Sequence, residues 1–269
     1  MRLGCIDYLN CYPFYFHMLE REPVKGVSIF MGYPNVLNKM LADCELDMSS
    51  VSAATCADIG DEVAILPEFC LSSVGYVGSV TLSSKVPIEE LHNKRIGITS
   101  ASHTSVVLLK ILLEKFYKLK PIYIKTDPRP RMGNNAATLT IGNDAMVKMA
   151  EPISYIYDLG DLWLRKTGFP VVFAVFGVRK SIVKKYESEI RAVVSSYYNS
   201  LGCLEKERER VVLKAEEKYP DIIYNVNDYY SLLKFEFTRD LKDALMYYYT
   251  LAGEMGLVKK VTELEYIDL

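Results

Sequence analysis

Phe169-Pro170-Val171-Val172-Phe173-Ala174-Val175-Phe176-Gly177-Val178 is a β-branched and aromatic run of the kind that fills a buried strand. After it the chain turns helical almost to its end. Residues 182–204 carry apolar side chains at helical spacing, residues 205–217 are charged and helical, and residues 241–255 make a tyrosine-rich amphipathic helix. Before it, strands and helices alternate. Residues 3–7 read as a first strand, residues 34–43 as a helix with Val36, Leu37, Met40 and Leu41 on its apolar face, residues 47–52 as a strand, and residues 75–82 as a β-rich run. A second unit opens at residues 94–99 and passes through a polar turn into a helix over 104–116, strands over 121–125 and 137–141, and the turn Gly142-Asn143-Asp144. That order argues a parallel α/β sheet. The long run is therefore a return strand: residues 1–86 plus 171–269 form one lobe, and residues 87–170 are inserted as a second. The chain crosses between the lobes twice, which places a cleft between them.

Composition narrows the function. Of 269 residues half are apolar, and the formal charge is −2, so the chain buries a large core but offers no basic field for nucleic acid. The N-terminus lacks the layout of a signal peptide and no apolar run is long enough to span a bilayer, so a cytoplasmic protein without membrane contact is expected. The cysteines Cys5, Cys11, Cys44, Cys56, Cys70 and Cys203 are scattered with no CxxC pair and only three histidines beside them. Reduced, buried thiols are the expectation, with no metal. GxGxxG, Walker, GxSxG and HExxH patterns are absent, and no cofactor is expected.

Ligands of open α/β sheets bind beyond the carboxyl ends of strands, and small polar residues cluster where those ends fall. Asn10 follows the first strand and aims one neutral amide outward, or merely organises the turn before Pro13. Ser52 ends the second strand-like run, and Ser73 and Ser79 flank Gly75. Ser102-His103-Thr104-Ser105 opens a helix, where hydroxyls, free N–H groups and the positive end of the dipole suit a carboxylate without arginine. Each serine or threonine also reads as an ordinary cap. His103 is a candidate proton donor or base, or a solvent-facing cap-region residue. Asp144 is a candidate base or the cap of a following helix. Arg129 and Arg131 lie on an irregular loop. The tyrosines at 229, 230 and 247–249 fit either a self-association face or core packing; the oligomeric state stays open.

Several of these segments resemble the chorismate dehydratases of the futalosine route to menaquinone. The likeness lies in Ile6-Asp7-Tyr8-Leu9-Asn10 with Pro13-Phe14, in Ser72-Ser73-Val74-Gly75-Tyr76-Val77-Gly78-Ser79-Val80, and in Ser102-His103-Thr104-Ser105-Val106. It continues in Ile141-Gly142-Asn143-Asp144-Ala145, in Tyr157-Asp158-Leu159-Gly160-Asp161-Leu162-Trp163 and in Thr167-Gly168-Phe169-Pro170. Val74 and Gly78 stand where that family commonly has polar or charged residues. The resemblance implies a periplasmic-binding-protein-like type II fold and loss of water from chorismate without cofactor or metal. It implies that Asn10 touches the reacting part of the ring, and that Ser52, Ser73 and Ser79 bind substrate from one lobe. Thr104, Ser105, Gly142 and Asp144 would bind it from the other, and the enolpyruvyl carboxylate of the substrate would remove the proton itself. A sister naphthoate synthase of the pathway has a Ser-Pro-Cys-Pro-Asn-Asp start that this chain lacks. A non-catalytic small-anion-binding protein is the other alternative.

Overall fold

The computed structural model describes residues 1–148 and 153–269. The chain opens with β1 (Arg2–Ile6), α1 (Tyr12–Glu20), β2 (Ser28–Gly32), α2 (Pro34–Ala42), β3 (Met48–Ser52), α3 (Ala53–Ile59) and β4 (Val63–Ser73). There follow β5 (Val80–Ser84), β6 (Arg95–Ile98), α4 (His103–Lys110), β7 (Ile122–Lys125), β8 (Ala137–Ile141), β9 (Tyr155–Asp158) and α5 (Leu159–Thr167). The remainder is β10 (Val171–Arg179), α6 (Glu187–Lys206), α7 (Arg208–Lys218), α8 (Val226–Leu232), β11 (Leu233–Glu236) and α9 (Arg239–Glu254).

Two sheets result. One has the order β11-β4-β10-β3-β1-β2 and the other β7-β6-β8-β5-β9, and together with their helices they make a two-lobed α/β fold with two crossovers. The return strand β10 lies inside the first sheet, between β3 and β4, and this explains its unbroken apolar character. Val175 and Val178 are fully buried. Phe176 meets Phe14 of α1 at 4.5 Å and Tyr197 of α6 at 5.1 Å between ring centroids. Each such side chain contributes about 1.5–3 kcal/mol by leaving water.

Three expectations need correcting. The sheets are mixed, because β10 runs antiparallel to both β3 and β4, and β5 runs antiparallel to β8 and β9; a strand entering from the other lobe has no reason to keep the direction of its neighbours. The chain leaves the first sheet after Ser73 and enters the second at Val80, ahead of the crossing expected at residue 86. All five residues of β5 are buried, and the strand takes its ladder partners from β8 and β9 of the second sheet. The helix expected over 104–116 is α4 followed by a π-helical turn, Ile111–Phe116. Of the six free cysteines, Cys44 is exposed. Tyr229, Tyr230, Tyr248 and Tyr249 are buried, which favours core packing over a self-association face.

Candidate functional site

The carboxyl end of β1 runs into a tight turn, with the Cys11 N–H donating to the Tyr8 carbonyl at 3.0 Å. Pro13 in the first turn of α1 sets the helix direction without losing a hydrogen bond. From the second sheet, Asn143 Oδ1 accepts the Leu9 N–H at 2.8 Å and pins this turn from across the cleft. Held in this way, Asn10 presents a buried Oδ1 that has no protein partner among the described residues.

That oxygen borders a cavity between the lobes. Asn10, Ser52, Ser79, Ser102, Ser105 and Gly142 supply its polar surface, and Ile6, Leu71, Val77 and Phe173 part of its apolar wall. No Lys, Arg, His, Asp or Glu lines it. Its positive character comes from backbone: Cys11, Pro34 and Ser102 stand at the starts of α1, α2 and α4, so three helix N-termini border one small space. The cavity measures about 50 Å³, well below the roughly 300 Å³ at which small-molecule sites begin.

The expected site residues divide by what their side chains touch. Ser79 is fully buried, its carbonyl accepts the Gly142 N–H at 2.7 Å, and its Oγ accepts the Tyr229 hydroxyl at 2.8 Å. Ser52 Oγ accepts Asn38 Nδ2 at 2.9 Å and donates to Thr55 Oγ1 at 3.0 Å. Ser102 caps α4, accepting the Ser105 N–H at 3.1 Å and donating to Ser105 Oγ at 3.1 Å. Gly142 has φ +57° and lies under the Tyr8 ring, which a Cβ would meet at 2.5 Å. Only glycine allows that contact.

Three others point elsewhere. Ser73 donates to the Gly75 carbonyl at 3.1 Å and so shapes the loop rather than the cavity. Thr104 Oγ1 accepts the Ala54 N–H at 3.0 Å, capping α3 from the opposite lobe because α3 receives no cap from Ser52. Asp144 is paired with Arg129 and lines a second, outer cavity of about 690 Å³ together with Asp7, Tyr8, Lys148, Lys218 and Asp221. Burial raises the Asp144 carboxyl above the usual range and Arg129 acts against it. His103 also lies off the inner cavity, with Nδ1 3.3 Å from Thr55 Oγ1 and 3.7 Å from Asp58. Burial lowers its pKa and Asp58 partly offsets this.

Some residues gave no sequence signal for their role here. Asp158, at the start of α5, accepts N–H bonds from Val77 at 3.2 Å, Gly78 at 2.7 Å and Asp161 at 3.0 Å, and so fixes the loop that carries Ser79. Its carboxyl is pushed up by burial and pulled down by those donors. Tyr248 and Tyr249 of α9 donate to the carbonyls of Thr104 at 3.3 Å and Ala53 at 2.8 Å, clasping both sides of the junction. Tyr229 comes from the C-terminal region, where only the helical character was readable. Among the described residues no group of three or more His, Cys, Asp or Glu is arranged to hold a metal ion, and no helix is long and apolar enough to cross a membrane.

Two α/β lobes around a central cleft define a periplasmic-binding-protein-like architecture. Known structures of that type superpose on most of the chain. A periplasmic aliphatic sulphonate binding protein from Escherichia coli aligns over 97% of this chain and 94% of its own, with TM-score 0.67 and 15% identity. A crystal structure of an Archaeoglobus fulgidus protein aligns over 96% of this chain and 98% of its own, with TM-score 0.77 and 17% identity. In sequence, residues 1–254 match the menaquinone biosynthesis family, and the chain belongs to it. A chorismate dehydratase from Thermus thermophilus is 29% identical over 194 residues, 66% of this chain and 69% of that protein.

Proposed function

We propose that this chain is an enzyme, a hydro-lyase that converts chorismate to 3-[(1-carboxyvinyl)oxy]benzoate and water. The observation that carries the reading is the inner cavity, which has hydrogen-bond donors, helix ends and one unpartnered buried amide oxygen but no Lys, Arg, His, Asp or Glu. Membership of the menaquinone biosynthesis family and the similarity to a chorismate dehydratase support the same reaction.

The chemistry needs little else. The C3–H bond breaks as its electron pair becomes a ring double bond, the C4–O bond breaks, and the departing hydroxide and the abstracted proton together make water. The ring becomes aromatic, so the driving force resides in the substrate, and the protein positions groups and steadies developing charge. With no enzyme carboxylate or imidazole on the cavity wall, the enolpyruvyl carboxylate serves as the base. Asn10 holds the ring hydroxyl, Ser79 and Ser52 bond the substrate from one side, and Ser105 with the N–H groups of α4 receives a carboxylate from the other. Thr104 and Ser73 support this arrangement through their backbone partners, Gly142 makes room for Tyr8, and Asp144 belongs to the outer cavity. A cavity of about 50 Å³ admits chorismate only when the lobes part, so binding is coupled to closure. We read the lobes as the segments that feed each sheet, with the crossings on either side of residues 80–158.

Incubating the purified protein with chorismate, without added metal or cofactor, is expected to produce a new aromatic absorbance. Saturable binding of chorismate with no product would overturn the enzymatic reading and favour an anion-binding sensor.

A further inference from the structure

Tyr229 lies on α8, four residues before Leu233 of the cavity wall but far in sequence from the polar residues that line the cavity, and its hydroxyl reaches one of them. It is buried and donates to Ser79 Oγ at 2.8 Å across 150 residues of chain. A serine oxygen that accepts from a tyrosine keeps its own hydrogen for another acceptor, and the space that Ser79 faces is the cavity. Burial raises the Tyr229 pKa, and the contact with Ser79 acts in the opposite direction. On the same cavity wall the buried Oδ1 of Asn10 has no protein partner among the described residues.

The helix that carries Tyr229 is anchored independently of the cleft. Asn225 Oδ1 caps α8 by accepting the Asp228 N–H at 2.9 Å. Arg208 donates to the Asn227 carbonyl at 2.7 Å and to Ser231 Oγ at 2.7 Å. A phenol on such a support has a fixed position, so what it bonds is fixed with it.

We infer that Tyr229 is a positioning residue that sets the hydrogen-bond direction of Ser79, so that the serine offers the substrate a donor beside the open acceptor of Asn10. The inference rests on the chorismate dehydratase reading of the cavity. In a site without charged side chains, the direction of each neutral dipole decides whether it helps or opposes developing charge. A serine hydroxyl can donate or accept until a neighbour chooses for it. By occupying one lone pair of Ser79, Tyr229 makes the serine a donor toward the substrate oxygen on which charge accumulates.

The test is a double-substitution cycle in the full chain, following conversion of chorismate to aromatic product. Tyr229→Phe keeps the ring and its packing and is expected to lower kcat about 10- to 100-fold with KM changed by less than about threefold. On a Ser79→Ala background the same change is expected to cost less than about twofold, because the group through which Tyr229 acts is already gone. Tyr230→Phe is the control: the adjacent buried hydroxyl has no protein partner among the described residues, and its removal is expected to leave kcat within about twofold. Full activity in Tyr229→Phe, or losses that multiply in the double variant, would overturn the positioning role while leaving the reaction intact. Absence of product from the unsubstituted protein would instead remove the functional reading and this inference with it.

Discussion

The inner and outer cavities share Tyr8 and differ in nearly everything else. The inner one is small and neutral; the outer is more than ten times larger and lined by Asp7, Asp144, Asp221, Arg129, Lys148 and Lys218. In the outer cavity the charges are largely matched within the protein, Arg129 with Asp144 and Lys218 with Asp7. In the inner one backbone dipoles and hydroxyls do the work, and they are fixed by packing before a ligand arrives. The contrast separates two tasks that are often merged in a cationic pocket. Charges at the mouth can exchange partners with solvent and salt, whereas a neutral interior stabilises an anion without a counter-ion that would also hold the product. A ligand carrying its own base is best served by the second arrangement, since a nearby lysine or arginine would make its carboxylate a weaker base.

Asn10→Asp tests that contrast most severely. The two side chains have nearly the same shape, so packing is preserved, but the substitution places a carboxylate on a wall with no cation to pair it. Turnover of chorismate is expected to fall by about 10²- to 10³-fold, with a thermal transition that shows the protein still folded. Retention of activity within about threefold would mean that the interior tolerates negative charge and that its neutrality is incidental.

What the sequence reveals of this site follows from how far each interaction reaches. Asn10, Ser52, Ser79 and Ser105 fall at strand ends and helix starts, and those positions can be read from hydrophobic period and turn residues alone. Whether a side chain at such a position faces the cavity depends on partners distant in sequence. Ser73 turns to the Gly75 carbonyl, Thr104 crosses the cleft to Ala54, and Asp144 is drawn to Arg129. The carboxylate of Asp158 organises the Ser79 loop from 80 residues away. No local pattern carries that information. The return strand was legible because burial on both faces of a central strand leaves a continuous apolar run. The edge strands β2 and β11 were not, since half-exposed strands have mixed composition.

Lys148→Glu probes the outer cavity with a smaller effect. The residue is exposed and lines the mouth, so reversing its charge weakens attraction of a dianion without touching the interior. At low ionic strength kcat/KM is expected to fall by about two- to fivefold with kcat unchanged. The difference should vanish at roughly 0.5 M salt, where the screening length is only a few ångströms. A deficit in kcat that persisted in high salt would show that the mouth takes part in the chemical step and that the two cavities do not divide the tasks.

The smallest expected effect concerns His103, which stands outside both cavities at the lobe junction. Burial lowers its pKa from the ordinary 6.5, and Asp58 only partly restores it. The folded protein therefore resists protonation more than the unfolded chain does. The stability contributed by the neutral imidazole is complete above about pH 6.5 and is lost as the pH falls through the lowered folded-state value. His103→Gln removes this dependence. The melting temperature of the variant relative to the unsubstituted protein should rise as the pH is taken from 7.5 toward 5, modestly, because 37% of the side chain is exposed and solvent screens it. Turnover at pH 7.5 should stay within about threefold, since an imidazole held between Thr55 and Asp58 is not the group that takes the C3 proton. An inactive variant that still bound chorismate would place the base on the protein and end the argument that the interior is neutral because the substrate supplies its own.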